Sequence, residues 1–520
     1  MLKKLIPGLI GLSALALTGR LLGFAREILM ASKFGATVIT DAYLTTLLLF
    51  DIAIAANSSI LSGTLSYSTD VDLKTFSKSL FSTGIKIFVI IFIAAIALYP
   101  LTGWLIPILF SKSAEAAQIV LETSRLLFIL AAFLAAAGVF SALLQLRGDI
   151  TNPGKLVIFL NISSIVFLLF TSKYFGIISL PLGFLMGGIL FFVYQIYRIR
   201  KVIPIEDALR GNLTKGRFNL FSWGTVVLLV FGNSLMPSLS GLIERYFAYT
   251  FTAGTFSHYQ YAIKIILLPL TIFSFAISTS LLPVQAKFIN AGNNAEFMNA
   301  TNKGILISVV TSLFFVLLFS VLPQPIIQLI YQHGHFTMHD SIETSSALQI
   351  MSAGLIPFLL NPILANIFYS LKAVKNLIAI NLFFILIQTA ILFSFSKTIP
   401  GIKALAVTWV VIGWINNGAL IYYLFKVKKI RFSRTIVSRL LIILLITTAL
   451  IILINYLVSS YFFGMNTVYN LWQTLIKVVL GGLILMIIFS AAVYLVFHDM
   501  LGRLLKTRTI NHNRSLRSKD

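Results

Sequence analysis

Apolar residues run along this chain in long unbroken stretches, without the alternation of half-buried strands or the one-sided stripe of surface helices. A bilayer core about 30 Å thick needs about 20 apolar residues per helix. Stretches of that kind lie at 5–32, 38–67, 80–108, 121–146, 154–172, 175–197, 218–247, 254–286, 304–331, 342–371, 377–396, 401–425, 436–460 and 474–499. The pattern predicts an all-α polytopic membrane protein with about 14 transmembrane helices. The first stretch follows Lys3 and Lys4 as a signal peptide would, but it continues through Arg20 with no A-x-A-like cleavage site, so it reads as an uncleaved first helix.

Composition agrees. The 520 residues are 58% hydrophobic and 11% charged, with a mean hydropathy of +0.95; soluble chains carry about 25% charged residues. With no cysteine, disulfide frameworks, thiolate metal sites and thiol nucleophiles are excluded.

Charge placement supplies orientation. Of 40 Lys and Arg residues, a cytoplasmic N-terminus puts 28 in inside segments and 5 outside (Lys33, Lys112, Lys173, Lys397, Lys403), leaving 7 within spans. By the positive-inside rule this predicts cytoplasmic N- and C-termini and an even number of spans. The net charge of +24 is thus an orientation device that also meets anionic membrane lipids, and no nucleic-acid partner is expected.

The two most basic loops divide the chain into six, six and two helices. The expected organisation is an N-lobe at 1–200, a basic cytoplasmic linker at 201–217, a C-lobe at 218–425, a second basic linker at 426–435, two further helices at 436–499 and a basic tail at 500–520. Two faint repeats fall in matching order. Glu122-Thr123-Ser124 pairs with Glu343-Thr344-Ser345, and Gly23-Phe24-Ala25-Arg26-Glu27 pairs with Gly241-Leu242-Ile243-Glu244-Arg245. Copies with an even number of spans share one orientation, so the six-helix lobes would be related by a pseudo-twofold along the membrane normal, with substrate between them near the midplane.

Ionisable residues at bilayer depth cost about 2.5–3.5 kcal/mol each and mark functional positions by default. Here they concentrate on four helices: Arg20, Arg26 and Glu27 on the first, Asp41 and Asp51 on the second, Glu244 and Arg245 on the seventh, and Lys264 on the eighth. At 1.5 Å per residue, Arg20, Asp51 and Lys264 fall near the midplane, and Arg20 and Arg26 sit about 120° apart around their helix. Convergence of Arg20, Arg26 and Lys264 would suit a substrate with several phosphate charges; mutual neutralisation, four cations against four carboxylates, is the competing reading. His333, His335 and His339 in YQHGHFTMHD lack a convincing fourth ligand and read as a solvated loop. Gly187-Gly188 and Gly481-Gly482 read as close helix contacts. No Walker pattern is present, so any transport would draw on an ion gradient, membrane potential or substrate supply.

The opening GRLLGFAREILMASKFGATVITDAY, with LIYQHGHFTMHDSIETSSALQIMSAGL and ERYFAYTFTAGTFSHYQYAIKIILLP, resembles the MurJ/MviN family, the lipid II flippases of the multidrug/oligosaccharidyl-lipid/polysaccharide exporter superfamily. The resemblance implies a transporter of the bacterial cytoplasmic (inner) membrane that moves undecaprenyl-pyrophosphate-linked peptidoglycan precursor outward by alternating access. It places Arg20 and Arg26 on the family's essential arginines, Asp41 on its acidic residue opening helix 2, and Lys264 where an arginine is usual. It also implies that helices 13 and 14 form a groove for the lipid tail. No cofactor is implied beyond coupling to sodium, protons or membrane potential, with Glu244 as the candidate sodium ligand, and a monomer is expected. The family's cation on helix 2 is missing, since DIAIAANSSILSG supplies Asp51 and Asn57 and no cation, and Ile263 and Leu267 replace acidic neighbours of the eighth-helix cation. A flippase for another polyprenyl-linked oligosaccharide is therefore the alternative. A cation-coupled multidrug exporter is disfavoured by the midplane cations, and a non-transporting envelope scaffold would tolerate their neutralisation.

Overall fold

The computed structural model describes residues 2–67, 73–109, 113–202, 220–399, 401–430, 432–457 and 471–517. Among these the regular structure is entirely helical. The helices are α1 (Leu2–Phe34), α2 (Val38–Tyr67), α3 (Leu73–Ala97), α4 (Tyr99–Leu109), α5 (Ala114–Leu146), α6 (Asn152–Phe175) and α7 (Ser179–Arg200), then α8 (Leu220–Ser234), α9 (Met236–Thr250), α10 (Thr255–Pro269) and α11 (Phe275–Asn290). They continue with α12 (Asn294–Val321), α13 (Pro323–Tyr331), α14 (Met338–Ser352), α15 (Leu355–Ser370), α16 (Val374–Thr398), α17 (Gly401–Lys426), α18 (Arg434–Leu457) and α19 (Leu471–Arg517).

By length and composition 10 helices can cross a membrane, or 12 when two bent pairs count as spans. That number treats α6 and α7, joined through a short 3₁₀ turn at Gly176–Ile178, as one stretch and leaves α1 aside; each expected apolar stretch coincides with a helix or a broken helix. Two of the breaks below lie beside a proline, which lacks an N–H and cannot continue the hydrogen-bond ladder. The expected span 218–247 bends by 43° between α8 and α9 ahead of Pro237, and 342–371 bends by 48° between α14 and α15. The span 254–286 contains a π-helical segment, Leu270–Ser274, directly after Pro269. The linker expected at 201–217 lies outside the described residues beyond Val202.

Packing divides the chain into two units, Met1–Gln260 with His333–Asp340, and Tyr261–Gln332 with Ser341–Asp520. The division passes through α10 and α14 and not through the loop at 201–217, because α8 packs on α2. In the first unit α5 is central, packing against α2, α3 and α7. Its small residues Ala132, Ala135, Ala136, Ala137 and Gly138 are buried, which lets α2 approach until Asn57 Nδ2 donates to Leu134 O at 2.7 Å. Ser113 caps α5 by accepting from Ala116 N at 3.2 Å, satisfying one of the N–H groups a helix start leaves open. Gly187 packs against the Phe159 carbonyl of α6 and Gly188 against the Leu130 side chain of α5, as the sequence implied. In the second unit α12 packs against α15, α11 and α18, and Gly481 and Gly482 of α19 face the side chains of Leu322 and Leu318.

Candidate functional site

Three groups of side chains in the first unit hold ionisable residues that the sequence singled out, each group built by different helices. The first begins with spacing on α1. Gly19 and Gly23 lie four residues apart on one face; a Cβ at Gly19 would meet Val157 at 2.9 Å, and one at Gly23 would meet Asn161 at 3.5 Å. This small-xxx-small pattern brings α1 against α6. Asn161 Nδ2 then donates to the carbonyls of Gly19 (3.1 Å) and Val157 (3.0 Å), which orients its amide so that Oδ1 accepts from Arg26 Nη1 at 2.8 Å. Arg26 Nη2 also donates to Glu27 Oε1 at 2.6 Å, and the guanidinium stands 4.7 Å above the Phe184 ring of α7, itself stacked on Phe50 of α2. Neighbouring residues on a helix do not ordinarily face each other; the fixed amide and the aromatic face turn the long arginine back onto Glu27. Both are buried, at 8% and 2% exposure. Arg20, 120° around the same helix, is exposed.

The second group joins α2 to α9. Arg245 Nη2 donates to Asp51 Oδ2 at 3.3 Å and Arg245 Nε to Leu44 O at 3.4 Å. Glu244 lies near the Tyr259 hydroxyl of α10. Lys264, half-buried, belongs to the second unit, so the first unit by itself brings together Arg26 with Glu27 and Arg245 with Asp51.

The third group is a clasp at the end of the unit where α1 leads into α2. Asp41 caps α10 from α2: Oδ2 accepts from Gly254 N at 2.7 Å, and Oδ1 from Ser257 N at 2.7 Å and Ser257 Oγ at 2.5 Å. A carboxylate at a helix N-terminus also meets the positive end of the macrodipole. The start of α14 carries its own capping box: Thr337 N donates to Asp340 Oδ2 at 2.7 Å and Asp340 N to Thr337 Oγ1 at 3.2 Å. The other oxygen, Asp340 Oδ1, lies 2.8 Å from His258 Nε2 of α10, and His335 N donates to Ser32 O at 2.8 Å. Gly254 and Gly334 make the close approach possible. Both have positive φ (+84° and +61°), and a side chain would strike the Ala36 carbonyl or the Ser32 carbonyl respectively. Gly254→Ala should lower the thermal unfolding midpoint of the purified protein, since the left-handed conformation alone costs about 1–2 kcal/mol with a Cβ and the Ala36 oxygen lies 2.6 Å from that atom; an unchanged midpoint would show the clasp can yield.

Sequence reasoning placed Asp41 in the site and did not single out its partner Ser257, nor Asn161, Phe184 or His258. The signals for some were there: Gly19-x-x-x-Gly23 for the α1–α6 contact, and Thr337-x-x-Asp340 for the capping box. His335 and His339 are exposed, and among the described residues no group of three His, Asp or Glu side chains gathers to hold a metal ion.

Long apolar helices that carry a buried ion pair, with loops at one end of the first unit stitched by capping carboxylates, define a polytopic membrane protein. A family model described as lipid II flippase MurJ matches residues 30–477, and the chain belongs to that family. Among curated relatives, the probable lipid II flippase MurJ of Buchnera aphidicola subsp. Acyrthosiphon pisum is 26% identical over 480 residues, covering 87% of this chain and 90% of the relative. That of Rickettsia prowazekii is 27% identical over 473 residues, covering 87% and 90%. A solved lipid II flippase MurJ in an inward closed conformation superposes with a TM-score of 0.73 at 21% identity, covering 95% of this chain and 100% of that one. An inward-facing multidrug resistance MATE family transporter of the MOP superfamily gives 0.65 at 15% identity, covering 78% and 93%.

Proposed function

We propose that this protein carries lipid II from the inner to the outer leaflet of the bacterial cytoplasmic membrane by alternating access, as a monomer with both termini in the cytoplasm. The observation that carries the reading is the family match across residues 30–477. The positive-inside count supports the orientation, which puts the Asp41 and Asp340 clasp on the outer side. Substrate enters from the cytoplasm while the clasp holds and leaves when it opens.

In this mechanism the exposed Arg20 and half-buried Lys264 are presented to the pyrophosphate, Lys264 as a point charge where an arginine would grip two oxygens. Arg26 joins when it exchanges Glu27 for a phosphate oxygen, a trade between two charge-assisted hydrogen bonds of similar strength. With no nucleotide motif, the driving force is membrane potential or a sodium or proton gradient, and Glu244 is the carboxylate offered to the cation. The lipid tail lies along α18 and α19, whose exposed faces include Leu445, Ile452, Ile484 and Ile487.

The test is rescue of cells depleted of their own lipid II flippase, run beside cells lacking a polysaccharide-repeat flippase. Growth of the first set is expected. Rescue of the second set alone would assign the protein to another polyprenyl-linked glycan.

A further inference from the structure

The first unit holds a cavity of about 450 Å³, lined on one side by Asp51 and Ser58 of α2 and on the other by Ser234 of α8 and by Ser238 and Arg245 of α9. Asp51 lies thirteen residues into α2, about 20 Å along the helix at 1.5 Å per residue. Of the two charges bordering the cavity, the arginine is the concealed one. The Arg245 side chain is 10% exposed and that of Asp51 54%. Arg245 is fixed by the Leu44 carbonyl, lies 5.8 Å from the Phe256 ring, and folds along its own helix over Gly241, where a Cβ would come within 2.6 Å of its Nη1. Its bond to Asp51, at 3.3 Å, is longer than the 2.7–2.9 Å usual between such charges. The cavity therefore meets a carboxylate held in place by an arginine behind it.

Of the pair, the carboxylate is the more accessible member and the guanidinium the concealed one, so a cationic donor entering the cavity finds its counter-charge more readily than a phosphate does. A carboxylate at bilayer depth is costly and marks a functional position, and beside its long bond to Arg245 the exposed carboxylate suits a charged donor from the cavity side. We infer that Asp51 receives an ammonium group on the peptide portion of the transported headgroup, with the hydroxyls of Ser58 and Ser238 beside it. A sugar hydroxyl donates one neutral hydrogen bond, whereas an ammonium donates up to three, and those it makes to a carboxylate are charge-assisted. The inference rests on the lipid II reading and adds a determinant of which headgroup is accepted.

The experiment measures binding of two lipids to the full-length protein in lipid nanodiscs: lipid II with the peptide amine free, and the same lipid with that amine acetylated. The protein should bind the free amine about tenfold or more tightly, the size of one hydrogen bond to a charged group. Asp51→Asn should bring that ratio to about one. Because Asp51→Asn strands a buried arginine, Asp51→Asn with Arg245→Gln removes both charges and should give the same ratio near one. Equal binding of the two lipids by the unaltered protein, or a preference retained in either variant, overturns the inference alone. Binding of neither lipid overturns the flippase reading and the inference with it.

Discussion

Arg26→Met should destabilise the protein by about 3–5 kcal/mol, the range for removing one partner of a buried ion pair, and should abolish rescue of flippase-depleted cells. The cause of the first effect is Glu27, 2% exposed, which would keep a buried charge after losing the guanidinium 2.6 Å away. Loss of rescue by this variant alone would therefore not separate transport from folding. The double variant Arg26→Met with Glu27→Leu does, because replacing a whole buried pair by apolar residues of similar volume is often neutral or stabilising. Its thermal unfolding midpoint in detergent should return close to that of the unaltered protein while rescue stays absent. If the double variant supports growth, Arg26 holds α1 to α6 and α7 and has no part in carrying substrate.

The second large effect is expected at Asp41. Asp41→Ala strips three hydrogen bonds from the start of α10 and leaves the N–H groups of Gly254 and Ser257 without their acceptor, a loss of about 1–3 kcal/mol. Most of it should appear as opening of the clasp. The chain has no cysteine, so a single Thr45→Cys, in the wall of the cavity of about 180 Å³ beside Asp41, is a clean reporter. Labelling by a membrane-impermeant maleimide added outside should be slow with Asp41 present and several-fold faster in Asp41→Ala. Equal rates would mean the clasp is held without Asp41, by the Asp340 to His258 contact and the Ser32 to His335 hydrogen bond.

These variants also mark where reading the sequence stopped. Helical phase separated Arg20 from Arg26 by 120°, and the structure has one exposed and the other buried. The same phase argument put Glu27 a step of 100° beyond Arg26, yet the side chains touch, because Asn161 and Phe184, 135 and 158 residues further along the chain, determine where the guanidinium turns. Asp41 stood out as an ionisable residue of a membrane helix and, by resemblance, as the family's acidic residue opening helix 2; its hydrogen-bond partners, at 254 and 257, could be found only after α10 was placed. Asp51 and Arg245 share no local signal at all.

By itself the sequence determined the all-helical membrane class, the fourteen apolar stretches and the proline positions beside which two of them break. Each of these follows from the bilayer or from the backbone, which act on residues near one another in the chain: about 20 apolar residues span the core, and a proline interrupts its own helix. It also gathered eight ionisable residues at bilayer depth on four helices. Only the tertiary structure decided their roles: Arg26 neutralised by Glu27, Asp41 turned into a helix cap, Asp51 left facing a cavity by an arginine buried behind it. A side chain's charge state and direction depend on partners within a few ångströms, and the partners that orient Arg26, Asp41 and Asp51 include groups on helices more than a hundred residues away.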